Sequence, residues 1–310
     1  MEINLRQKFT SIFFVILGCV LVGSGPIIIK LYDIKNPFMV VYYRMYIASA
    51  VLFGYCIITK TKIKISKNQN MLALVTGLFL AIDLSLYYSA MKYAPISNVS
   101  LIGNLSPIFV VGITWLIFKQ KPNKSVIFGI FGAVVGLVVL IGFDRSQDSL
   151  LGNFIALAAA FFYGIYFLYL AQMIKGIGPL LTNLYITFYC SSFCLFFLLI
   201  DNLRTSDELT QATGIIDFFW KFQAILMPSG LHLIGLILNS FCAQIIGQTL
   251  VLRGLKNLTP SFGSMLTLFE PVATTVLCSV ILFDSISSLQ LIGGSIILLS
   301  ILAVSMDPKA

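Results

Sequence analysis

The stretch Ser97-Asn98-Val99-Ser100-Leu101-Ile102-Gly103-Asn104-Leu105-Ser106-Pro107 recurs 164 positions later as Ser261-Phe262-Gly263-Ser264-Met265-Leu266-Thr267-Leu268-Phe269-Glu270-Pro271. The same displacement, without a gap, sets Ser97 on Ser261, Ser100 on Ser264, Ser106-Pro107 on Glu270-Pro271, Lys92 on Lys256 and Gly129 on Gly293. Both copies sit inside long apolar runs. Gly, Pro and charge punctuation divides the chain into ten such runs, at 10–30, 38–59, 71–92, 96–118, 125–143, 150–173, 180–200, 231–252, 259–282 and 287–306. A bilayer core takes about 20 apolar residues per helix. Backbone groups in lipid must be satisfied within their own segment, so runs this long read as helices rather than strands. Five runs fall in residues 1–148 and five in 149–310. Because five is odd, the second set is inserted upside down relative to the first. The expected fold is an all-α polytopic membrane protein of ten transmembrane helices, built as two inverted five-helix repeats. That arrangement marks secondary transporters, in which two related packings exchange roles and open a site to each side in turn.

Composition agrees. Hydrophobic residues make up 58% of the chain and charged residues 10%, against roughly 25% charged in a soluble domain. A net charge of +8 would point to nucleic acid only if it were gathered on one face. Instead, alternating the spans puts Arg6, Lys8, the Lys60–Lys67 cluster, Lys119, Lys121, Lys124, Lys175, Arg253, Lys256 and Lys309 on one side. Asp33, Asp144, Asp148, Asp201, Asp207, Glu208, Asp217 and Asp284 take the other. By the positive-inside rule both termini are cytoplasmic, and a missed span would exchange the sides and erase the bias. The expected location is the cell membrane of a bacterium, its inner membrane, with lipid and a small-molecule substrate as partners, no nucleic acid, and a monomer or weak homodimer. The first run follows Arg6 and Lys8 as a signal peptide would, but it lacks a clear cleavage site and reads as the first span. All six cysteines lie inside apolar runs, and Cys190 and Cys194 share a helix face without His or carboxylate. They are expected to be buried thiols, with no metal and no cofactor. The connection 201–230 alternates Ile215, Ile216, Phe218, Phe219, Trp220, Phe222 and Ile225 with polar residues. An outer interfacial helix and a packed loop over the mouth are both open readings.

The sequence also resembles EamA-type members of the drug/metabolite transporter superfamily. Pro37-Phe38-Met39-Val40-Val41-Tyr42-Tyr43-Arg44-Met45 is similar to that family's second span, and Ala90 to Ser97 followed by Ser106-Pro107 to its third-to-fourth span junction. Gly129, Gly132 and Gly136 resemble its fifth span, and Phe269-Glu270-Pro271 with Leu282-Phe283-Asp284 its ninth. The acidic residue often found after the family's fourth span is Gln120 here, a departure that bears on loop anchoring. The resemblance implies a ten-helix fold with a central cavity and alternating access. The family handles amino acids, nucleotide-like metabolites, choline and more, so no substrate follows from it.

Ionisable groups inside a bilayer are costly, and each is a functional candidate. Arg44 lies about 10 Å below the outer face by helical rise from Pro37, and Asp83, counted from Asn70, lies at about the same depth. A buried Arg44–Asp83 pair is therefore expected, serving either to fix the second and third spans or as a gate that contacts substrate. Glu270 lies about 16 Å deep, near the midplane. A bare carboxylate there forfeits its hydration, so it is expected to carry a proton or to face a substrate cation; pairing with Lys30 or Arg44 is the structural reading. Polar stripes converge from corresponding spans: Ser240, Gln244 and Gln248 on the eighth, Ser97, Ser100 and Asn104 on the fourth, Ser264, Thr267 and Glu270 on the ninth. Tyr87 and Tyr88, with Tyr42, Tyr43 and Tyr46, would supply aromatic walls for a cation or a flat ring; interhelical hydrogen bonds are the alternative for each hydroxyl. Pro26, Pro107 and Pro271 interrupt helices as hinges or as plain kinks. Gly132 and Gly136 mark close packing, internal or across a dimer.

The expected function is a secondary active transporter of a small polar organic solute, an amino acid or related metabolite, with proton coupling through Glu270. Export of drugs or aromatic compounds, and exchange of a larger nucleotide-like metabolite, are the alternatives. An enzyme is disfavoured by a single His and no catalytic constellation. A channel is disfavoured by the inverted repeat and the lack of a filter motif.

Overall fold

The computed structural model describes residues 5–33, 37–90, 93–94, 96–117, 119, 121–141, 150–205, 230–283 and 286–306. Expectations placed on Lys92, the Ser97 side chain, Gln120, Asp284 and the greater part of the 201–230 connection lie outside them. The helices are α1 (Leu5–Gly23), α2 (Gly25–Leu31), α3 (Pro37–Ile58), α4 (Lys67–Ala90), α5 (Ile96–Gly103), α6 (Ser106–Leu116) and α7 (Lys124–Ile141). There follow α8 (Leu150–Ile177), α9 (Pro179–Thr205), α10 (Gly230–Asn239), a π-helical segment (Ser240–Gly247), α11 (Gln248–Leu255), α12 (Pro260–Leu266), α13 (Phe269–Leu282) and α14 (Ser288–Ser305). Taken as continuous runs, 8 of these are long and apolar enough to cross a membrane among the described residues. Ser106–Leu116 and Lys124–Leu140 are shorter apolar helices; they fall in the runs expected at 96–118 and 125–143.

Prolines set the breaks. A proline inside a helix lacks its own N–H and clashes with the carbonyl four residues back. Four residues before Pro107 is Gly103, the last residue of α5; four before Pro271 is Thr267, just past α12; four before Pro26 is Val22, one residue from the end of α1. The chain therefore breaks ahead of each proline and restarts with it in the first turn. Between α8 and α9, Gly178 takes φ +82, a left-handed conformation that favours glycine, and Pro179 then opens the next helix.

The interior packs in matched pairs. α7 lies against α14 and α3 against α9; α4 packs on α8, and α1 packs on the π segment and α11. Helix limits repeat with the sequence: α7 displaced by 164 positions coincides with α14, and α4 nearly coincides with Gly230–Leu255. Contacts repeat too. A Cβ at Gly129 would collide with Val304, and one at its counterpart Gly293 with Leu140, positions that are themselves 164 apart. Large apolar side chains turned outward, such as Leu116, Phe128, Phe131 and Leu150, leave the bundle coated in hydrocarbon. Lys8, counted among the inner-surface cations from sequence, is buried, its Nζ 5.4 Å from the centre of the Phe262 ring. Desolvation of the ammonium is partly offset by that ring's quadrupole.

Gly136 belongs to an internal seam, not to an outward face. A Cβ there would lie 2.8 Å from the Gly293 carbonyl oxygen and 2.9 Å from the Ile297 nitrogen, backbone atoms that cannot yield without separating α7 from α14. Gly136→Leu is expected to destabilise the fold by about 1–3 kcal/mol, read as a lower midpoint of thermal unfolding in detergent. Gly54→Leu, at a site where a Cβ meets nothing within 4 Å, is the control and should be neutral.

Candidate functional site

Arg44, half-buried on α3, is a cation of the bundle interior. Its Nε donates to Gln244 Oε1 at 3.1 Å, and the Gln244 amide donates in turn to Asn183 Oδ1 at 3.1 Å. Asn183 on α9 donates to the Gln244 carbonyl oxygen and to Thr249 Oγ1, both at 2.9 Å. Gln244 is thus fixed on both sides, its oxygen held toward Arg44. The π segment carries it: Ser240 to Gly247 wind more widely than an α-helix, a distortion found most often at functional positions.

The expected ion pair between Arg44 and Asp83 does not form. Equal depth brought them to one level, but their helices turn them to different neighbours, and Arg44 bonds Gln244. Asp83 is 6% exposed on α4 and acts electrostatically on Tyr87, Tyr88, Tyr163 and Tyr166. Glu270 opens α13 and interacts electrostatically with Arg44, Tyr87, Tyr163 and Cys19. Its side chain is half-buried and keeps some accessible surface. Lys30, by contrast, lies exposed in the last turn of α2 rather than in the interior.

Tyrosines connect these charges. Tyr87 lies beside the Ser100 side chain, and Tyr166 beside Gln248. Tyr87 and Tyr88 meet edge to face at 5.7 Å, and Tyr163 and Tyr166 meet at a tilt at 5.3 Å. Gly103 makes room for this arrangement, because a Cβ there would lie 2.8 Å from the Tyr87 ring. Tyr42 and Tyr46 are not part of it. They stack on each other at 5.7 Å along a separate groove of about 490 Å³ between α3 and α9, and Tyr46 is exposed. Tyr43 packs beside Val40 and Leu236.

Other stripe residues turn back on their own helices. Asn104 donates to the Ser100 carbonyl oxygen at 2.8 Å, Ser264 to that of Ser261 at 3.0 Å, Thr267 to that of Ser264 at 2.7 Å and Ser240 to that of Leu236 at 2.8 Å. The hydroxyl protons are satisfied locally, which leaves those oxygens their lone pairs for a ligand, and Asn104 uses one of its two amide protons in the same way. Asn183, Tyr163 and Tyr166 were not singled out from sequence. Asn183 lies in the first turns of α9, where a polar residue reads as a span boundary; the two tyrosines lie in an aromatic run with no polar spacing to mark them.

The family profile described as EamA-like transporter family matches residues 9–142 and, a second time, 150–306. The chain belongs to that family. As an EamA-like transporter it is a multi-pass membrane protein. It is 24% identical over 286 residues to an uncharacterized transporter of Clostridium kluyveri, covering 89% of this chain and 86% of that one. It is also 24% identical over 290 residues to the riboflavin transporter ImpX of Fusobacterium nucleatum subsp. nucleatum, covering 89% and 90%. An uncharacterized transporter of Synechocystis sp. matches at 22% over 253 residues, covering 79% and 68%. A solved crystal structure superposes with a TM-score of 0.75 over 96% of both chains at 16% identity, a likeness of fold.

Proposed function

We propose that this EamA-like protein is a secondary active transporter that carries a small polar organic solute, an amino acid or related metabolite, by alternating access. One observation carries the reading: within the bundle the ionisable groups Arg44, Glu270 and Asp83 lie near Tyr87, Tyr88, Tyr163 and Tyr166. Charges of both signs suit a solute with its own ammonium and carboxylate, and ionisable groups this deep are characteristic of transport pathways. Ten crossings in two inverted halves, 1–148 and 149–310, are supported by the doubled family match and by the repeated helix limits. In this reading the basic loops and both termini face the cytoplasm of a bacterium, Glu270 carries the coupling proton, and the helix breaks ahead of Pro107 and Pro271 act as hinges.

A second reading has specific support. The ring pairs Tyr87–Tyr88 and Tyr163–Tyr166 offer aromatic faces to a flat heterocycle, and one relative is named for riboflavin. Counterflow in proteoliposomes with amino acids, riboflavin and nucleosides separates the two. Exchange of amino acids alone supports the first, and exchange of riboflavin alone the second. Failure of amino acids, riboflavin and nucleosides alike to exchange, with the protein folded and reconstituted, removes both substrate readings.

A further inference from the structure

A second pocket, of about 530 Å³, opens where the start of α1 meets the start of α9 and the end of α11. Arg6, Arg253 and Lys256 line it with Thr10 and Asn257, and among the described residues none of those lining it is acidic. It is built rather than incidental. The Arg253 guanidinium lies 5.0 Å from the centre of the Phe14 ring, and Asn257 Nδ2 donates to Ser11 Oγ at 3.1 Å, which ties the end of the eighth apolar run to the first. Two guanidiniums and an ammonium around a pocket of hydroxyl and amide groups match a phosphate, which guanidinium groups bind with two parallel donors.

Hydrocarbon continues from that pocket. Phe13 and Leu17 on α1 and Ile246 on the π segment are all exposed, about two to three helical turns along their own runs from Arg6 and Arg253. A free anion would have no use for this apolar track, whereas an acyl chain would lie along it. We propose that the pocket binds an anionic phospholipid, with the headgroup phosphate on Arg6, Arg253 and Lys256 and a chain against Phe13, Leu17 and Ile246. Basic pockets between helix ends are suited to such headgroups. The bound lipid would bridge α1 and α11, two elements that pack directly on each other.

Native mass spectrometry of the full-length protein tests the proposal, with phosphatidylglycerol, phosphatidylcholine and inorganic phosphate as probes. Phosphatidylglycerol should be retained over phosphatidylcholine. Arg253→Gln with Lys256→Gln should weaken that retention roughly 10–30-fold, at about a factor of five per charge. The charge-keeping pair Arg253→Lys with Lys256→Arg should retain it to within a few-fold, which separates loss of charge from misfolding. Lys60→Gln with Lys62→Gln, outside the pocket, should have no effect. Equal retention of phosphatidylcholine, an unchanged Gln pair, or phosphate bound as tightly as the lipid would each overturn the proposal.

Discussion

Arg44→Met is expected to reduce solute exchange by about a hundredfold or more. The side chain is held by Gln244 and provides the positive field at Glu270. Removing the cation leaves Gln244 Oε1 without its donor and Glu270 without its positive neighbour, at a cost of about 1–3 kcal/mol. Part of that cost should appear as a lower unfolding midpoint in detergent and part as lost transport. Arg44→Lys should restore exchange only in part, because an ammonium keeps the charge near Glu270 but lacks the rigid guanidinium geometry that places a donor on Gln244. Exchange in the Met variant within threefold of wild type would show that Arg44 is a structural strut outside the transport path.

Glu270→Gln is expected to abolish accumulation driven by a pH gradient, a loss of at least about tenfold of the kind seen when a positioned proton carrier is removed. Glutamine keeps the shape and most hydrogen bonds but cannot take up or release a proton. Exchange of solute for solute needs no net proton movement, so it should persist. Loss of exchange as well would assign Glu270 to the solute as a counter-ion. Accumulation unchanged in this variant would remove Glu270 from coupling altogether.

Much of the fold could be read from residue order. Apolar runs located the helices because a bilayer demands them, and the prolines located the breaks because a missing N–H four residues past a carbonyl ends the ladder. The repeat at 97–107 and 261–271 was legible because two copies of one packing problem keep small and polar residues at the same places. The site was legible in its parts. Arg44, Asp83 and Glu270 stood out as charges in hydrocarbon, and Gln244 and Gln248 as a stripe. Partnership was not. Depth along a helix can be counted from sequence, but the direction a side chain takes around the axis depends on rotation and tilt, and so Arg44 meets Gln244 rather than Asp83. Asn183 was hidden by its place in the opening turns of α9, and Tyr42 and Tyr46 misled because a tyrosine serves a lipid-facing groove as readily as an interior wall.

The π segment has a consequence for how this protein tolerates change in length. A π turn is an α-helix that has absorbed surplus residues, so Ser240–Gly247 is the one stretch among the described helices with backbone to spare. A single-residue deletion in any other span would twist everything beyond it by about 100°. Here the same deletion can relax the coil toward an ordinary α-helix. Folding would survive it, but Gln244 would swing away from Arg44 and release the guanidinium. Chain length at this point thus acts as a tuning peg: it sets which way the interior cation points while the scaffold stays unchanged.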